Sequence, residues 1–63
     1  MTEQERRERM LELKEIRCSK RRYESEVAYY LWMPIEEYAG YETGLAVPDE
    51  KTLARIEGII CEL

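Results

Sequence analysis

Apolar residues fall along this chain in clusters with helical spacing, separated by short polar or turn-forming stretches. Met10, Leu13 and Ile16 recur every three positions, with Leu11 beside them, in a segment otherwise rich in Glu, Arg and Lys. Thr2 followed by Glu5 is a capping-box pattern, so a first helix is predicted to begin there. Its apolar pattern lapses at Ser19 and Lys20, which places its end near Cys18. Residues 1–9 carry no apolar position beyond Met1 and are expected to form a projecting or fraying helical extension. Val27, Ala28, Tyr30 and Leu31 predict a short buried helix over 24–31, with Ala28 small enough for another helix to approach closely. Pro34 would break a helix interior but suits the first residue of the next helix, where Glu36 and Glu37 favour the dipole. That third helix is predicted over 34–42, with Gly44 as its stop. A last helix starts near Asp49 and carries Leu53, Ile56, Ile59, Ile60 and Leu63 on one stripe. Packing on the first two helices is the preferred use of that stripe, and a homodimer seam the alternative. No run alternates as a strand requires, so the expected fold is all-α: one small four-helix domain over residues 1–63.

With 63 residues the chain holds one domain whose core is marginal, which suits an oligomer or a subunit. Its longest apolar run, residues 27–35, contains a proline and falls far short of the ~20 residues a membrane span needs. No apolar stretch follows the charged N-terminus, so no secretory signal is expected and the chain is assigned to the cytoplasm. The net charge of −4 conceals an asymmetry. Residues 1–22 hold eight basic and five acidic side chains, whereas residues 23–63 hold two basic and nine acidic. Between Tyr23 and Glu50 there is no Lys, Arg, Asn, Gln or His, in a stretch with seven carboxylates.

Few constellations here carry chemistry. Cys18 and Cys61, with no histidine, are too few for a zinc site and are expected to be buried as small hydrophobes. Gly40, Gly44 and Gly58 form no phosphate loop. Adjacent Glu36 and Glu37 point about 100° apart on a helix, a poor arrangement for a catalytic acid and base. With no nucleophile-base pair, the expectation is a non-enzyme without metal or cofactor.

Short helix, tight turn, short helix is helix-turn-helix spacing, and from Leu13 onward its register resembles the Cro and phage-repressor family, often called the XRE type. Leu13, Ile16 and Arg17 resemble the family's first-helix signature, and Val27, Ala28 and Leu31 its second helix. Tyr38 stands where the apolar residue of the recognition helix belongs. Tyr41-Glu42-Thr43-Gly44, then Pro48, Leu53, Ile56 and Leu63, follow the family's ending without insertion. The resemblance implies a lambda-repressor-like fold and a pair between Arg17 and Glu42 linking the first and third helices. It also implies a transcriptional regulator that binds operator DNA, as a dimer, with the third helix in the major groove. Arg17, Lys20, Arg21 and Arg22 would then lie beside the DNA, with Ile35, Glu36, Glu37, Gly40 and Thr43 on the reading helix. Arg6, Arg7 and Arg9 form either a phosphate-gripping arm or a solvated helix face.

The departures from the family cluster on that reading face. Trp32 stands where the family's turn has glycine, and an L-residue at positive φ costs roughly 1–2 kcal/mol, so the turn is expected to be rebuilt around Pro34. Glu24 replaces a phosphate-touching polar residue, and Leu45, Ala46 and Val47 replace basic ones. The family's fifth helix is missing, which would leave part of the Ile59, Ile60 and Leu63 surface uncovered. Base reading relies mostly on Arg, Lys, Asn and Gln, and the presumed reading segment has none. The alternative is therefore a helix-turn-helix protein that binds a regulatory protein, as an antirepressor or corepressor. Tyr29, Tyr30, Trp32, Ile35, Leu45 and Val47 would supply its exposed surface, with core packing of Tyr30 and Trp32 an equal reading.

Overall fold

The computed structural model describes residues 1–63, and four helices account for its regular structure: α1 Glu3–Ser19, α2 Glu24–Leu31, α3 Ile35–Thr43 and α4 Glu50–Glu62. Local chemistry explains where each begins. The Thr2 hydroxyl accepts from the Glu5 N–H at 3.1 Å while the Glu5 carboxylate accepts from the Thr2 N–H at 2.8 Å, closing the predicted capping box of α1. These bonds hold the Glu5 carboxyl below its usual range. In α2 the Glu26 carboxylate accepts from the Tyr23 N–H at 2.9 Å. In α4 the Asp49 carboxylate accepts from the Thr52 N–H at 2.7 Å, which lowers its pKa for the same reason. Pro34 is the N-cap of α3, with φ −60° and ψ 144°, and not its first helical residue as expected. Proline's ring accepts that extended backbone as readily as the helical one, and the sequence signal does not separate adjacent positions.

The helix ends hold a correction of more consequence. Trp32 sits in the left-handed region at φ 60°, ψ 42°, so the turn is not rebuilt around Pro34. Its N–H donates to the Tyr29 carbonyl and the Met33 N–H to the Ala28 carbonyl, both at 3.2 Å, which is the double closure of a Schellman motif. That closure demands positive φ at the residue where glycine is usual. The α1 terminus repeats it: Arg21 has φ 58°, its N–H donates to Cys18 and that of Arg22 to Arg17. Of the three left-handed residues that end helices, only Gly44, at φ 86°, is the residue that the conformation favours.

Nine buried residues make the core: Met10 and Leu13 of α1, Val27, Ala28 and Leu31 of α2, Tyr38 of α3, and Leu53, Ile56 and Ile60 of α4. Both α1 and α2 pack on α3 and α4. The α4 stripe thus packs inward, as preferred, and Ile60 is fully buried, while Ile59 and Leu63 are half-buried at the edge. Residues 1–9 do not project. Arg6 Nε donates to the Pro48 carbonyl at 2.9 Å, Arg7 Nη1 to the Gly44 carbonyl at 2.8 Å, and Arg9 pairs with Glu57 at 2.8 Å. A radius of gyration of 10.4 Å, against the roughly 10.6 Å expected for a compact domain of this size, agrees with a docked N-terminus. Cys18 and Cys61 are exposed and unpaired, against the expectation of burial, because both lie on the outer faces of their helices. No helix is long and apolar enough to cross a membrane.

Candidate functional site

The link implied between Arg17 and Glu42 is present, and it decides which way α3 faces. Arg17 Nε and Nη2 donate to the two Glu42 carboxylate oxygens at 2.8 and 2.9 Å, a bidentate pair between α1 and α3. The Tyr38 hydroxyl donates to the same carboxylate from one helical turn away, and Arg17 Nη1 donates to the Arg22 carbonyl. Arg17 and Glu42 are both buried, and no buried side-chain polar atom lacks a partner. The hydrogen bond to Glu42 raises the Arg17 pKa further. Burial first, then the bond to Glu42, pushes the Tyr38 hydroxyl well above its ordinary value of 10.0. Since the folded pKa is the higher one, Tyr38 contributes stability that is complete below about pH 10 and is lost as pH rises beyond it. Tyr41 is raised as well, by burial and then by Glu37 and Asp49. Urea midpoints between pH 9 and pH 11.5 are therefore expected to fall for the wild type and to fall less steeply for Tyr38→Phe; superimposable pH profiles would show that Tyr38 titrates as freely folded as unfolded.

Because Tyr38 and Glu42 point inward, the opposite side of α3 is turned to solvent. Glu36 lies on that side and Glu37 flanks it, both exposed and neither with an ion-pair partner, while Ile35, one turn before Tyr38 on the inner side, is exposed at the N-terminal end of the helix. Ile35 shares a shallow recess with Arg17 and with Tyr23, Glu24 and Ser25 at the start of α2. Half-buried Gly40 and exposed Thr43 follow toward the far end of the helix, where the Thr43 hydroxyl donates to the Gly40 carbonyl at 3.3 Å.

The predicted cations do not join this surface as a group. Arg17 is spent on Glu42 and is unavailable to a ligand. Lys20 Nζ donates to the Ile60 and Cys61 carbonyls at 2.7 and 3.1 Å, where a positive charge suits the C-terminal end of α4. Arg22 pairs with Glu26 at 3.2 Å, leaving Arg21 as the member of that cluster without a partner. The arginines of the N-terminal turns are neither a free arm nor a solvated face: two of them satisfy backbone carbonyls of the segment between α3 and α4.

Exposed aromatic residues gather at the far end of α2 and in the turn that follows it. Tyr23, Tyr29, Tyr30 and Trp32 are exposed, Trp32 by 91%, so neither Tyr30 nor Trp32 belongs to the core. Tyr29 and Tyr30 meet edge to face with ring centroids 5.3 Å apart. Tyr29, Tyr30 and Trp32, with Ala28, Met33 and Pro34, line a groove of about 540 Å³ at the turn between α2 and α3. Met33 and Pro34 were not anticipated as surface-forming; the available signal was the crowding of four of the six aromatics into residues 23–32. Leu45 is 88% exposed beyond α3, while Val47 is half-buried. Comparison of the chain with protein-family models, curated proteins and solved structures gave no match.

Proposed function

We propose that this chain is a helix-turn-helix protein of repressor type whose α2–α3 face binds another protein, as an antirepressor or corepressor subunit would, instead of reading operator DNA. One observation carries this reading: α3 offers solvent Ile35, Glu36 and Glu37 and no basic or amide side chain, while Arg17 and Lys20 are held by internal partners. Base recognition in the major groove depends chiefly on Arg, Lys, Asn and Gln, and phosphate affinity on free cations. A pair of unpartnered carboxylates would repel the DNA backbone at the point of closest approach. The resemblance to the Cro and phage-repressor family supports a regulatory setting, and the chemistry of the face selects the class of partner.

Fluorescence anisotropy with labelled random DNA and DNA from upstream of the gene, at about 50 and 200 mM salt, tests the reading. The expected result is no preference between the two DNAs and at most weak association, with Glu36→Lys/Glu37→Lys gaining salt-sensitive affinity. Upstream DNA bound about 1,000-fold more tightly than random DNA, with affinity falling as salt rises, would establish operator binding in its place.

A further inference from the structure

The turn between α2 and α3 keeps a conformationally unfavourable residue for no purpose within the fold. Trp32 closes the α2 Schellman motif at φ 60°, a position where glycine carries no steric cost and a large L-residue does. At 91% exposure its indole adds little to the core that could offset that cost. Strain retained at an exposed side chain points to what the side chain does outside the molecule. The indole lines the groove together with Ala28, Tyr29, Tyr30, Met33 and Pro34, and Tyr30 also lines a recess shared with Ile59, Glu62 and Leu63.

Charge identifies the occupant. Glu36 and Glu37 follow the groove in sequence without cationic partners, Glu62 borders the adjoining recess, and residues 23–50 contain no basic side chain. Arg55, which reaches this end of α2, is turned onto the Leu31 carbonyl at 3.2 Å. We infer that the groove at the α2–α3 turn takes a basic, arginine-bearing segment of a partner protein, with Trp32 as its anchor. An apolar side chain of that segment fills the space between Tyr29, Tyr30 and Met33, and a guanidinium lies on the indole face while its neighbours meet the glutamates. This inference rests on the protein-binding reading and adds the partner's chemistry to it.

Trp32 is the single tryptophan, so its emission reports occupancy directly. The test uses the full chain, a fluorescein-labelled peptide repeating Arg-Leu-Arg, and a counterpart repeating Glu-Leu-Glu. The Arg-Leu-Arg peptide is expected to bind saturably, to change Trp32 emission and to weaken as salt rises, while the Glu-Leu-Glu peptide does not bind. Trp32→Gly is expected to lower peptide affinity more than tenfold while raising the denaturation midpoint, which separates loss of the anchor from loss of the fold. Unchanged Trp32 emission, equal binding of the acidic peptide, or equal affinity in Trp32→Gly overturns the inference. So does a sedimentation experiment in which the chain self-associates and Trp32→Gly does not, since a second copy then fills the groove. A chain that binds neither operator DNA nor the basic peptide leaves the protein-binding reading in place and removes this one; specific operator binding removes the reading beneath it.

Discussion

Glu42→Gln is expected to destabilise the domain by about 3–5 kcal/mol, enough to leave much of it unfolded at room temperature. The buried Arg17 guanidinium would lose its counter-charge and meet an amide with one acceptor oxygen where the carboxylate had two, with the Arg22 carbonyl and the more distant, partly exposed Glu24 carboxylate at 3.8 Å as its other partners. The Tyr38 hydroxyl would lose its charged acceptor in the same step. A domain of 63 residues has a total stability of roughly 3–9 kcal/mol, so the loss is comparable with the whole. Replacing both members, Arg17→Met with Glu42→Leu, is expected to restore part of it, because an apolar pair of similar volume carries no charge-desolvation penalty while the Tyr38 hydroxyl and the Arg22 carbonyl still lose their partners. Urea denaturation followed by circular dichroism of the two single variants and the double measures the coupling. Additive losses would mean that the two charges are not coupled through the contact at 2.8–2.9 Å. The pair also bears on the interaction surface. By tying the inner side of α3 to α1 it holds Glu36 and Glu37 outward, so peptide binding and folding are expected to fail together in Glu42→Gln.

Ile56→Ala is expected to destabilise by about 2–5 kcal/mol, the range for removing a fully buried branched side chain from a core that closes poorly behind it. Ile56 has no exposed surface and lies mid-way along α4, which packs on both α1 and α2. Those two helices are restrained elsewhere: α1 by the Glu42 pair and by the Arg6 and Arg7 bonds to carbonyls, and α2 by the Arg55 bond to Leu31. Collapse into the vacated space is therefore limited, and the cavity term adds to the lost transfer energy. Thermal unfolding by calorimetry would show the loss, and a fall of less than about 1 kcal/mol would mean that α4 repacks freely.

The basic residues show why a charge balance along the chain is a poor guide to a ligand. The N-terminal segment, with its surplus of cations, looked like a phosphate-binding region, yet Arg6, Arg7, Arg9, Arg17 and Lys20 all have acceptors inside the molecule. Four of these five hold backbone carbonyls at helix ends, in the α1–α2 turn or in the α3–α4 segment, groups that need donors in a domain too small to bury them among its own helices. Their positive charge is thereby committed to the fold. The acidic stretch from Tyr23 to Glu50 is not neutralised in the same way at Glu36 and Glu37, and the surface there stays negative.

Helix number, order and approximate ends were legible in the sequence by itself. Capping boxes, proline and the three- and four-residue apolar spacing are local signals, acting within a turn or two of the residues that carry them. Through the resemblance, the partner of Arg17 was legible too, because a register maintained from Leu13 to Leu63 places the two residues on facing helices. Tertiary structure alone decided the rest. Left-handed closures at Arg21 and Trp32 carry residues that disfavour them, so only the packing of α2 against α3 and of α1 against its neighbours reveals them. Exposure of Cys18, Cys61, Tyr30 and Trp32 depends on which side of each helix the other three cover. Pro48, Gly44 and Glu57, which accept from Arg6, Arg7 and Arg9, lie 37 to 48 residues away along the chain, a separation over which no local pattern carries information and only the folded arrangement of the four helices does.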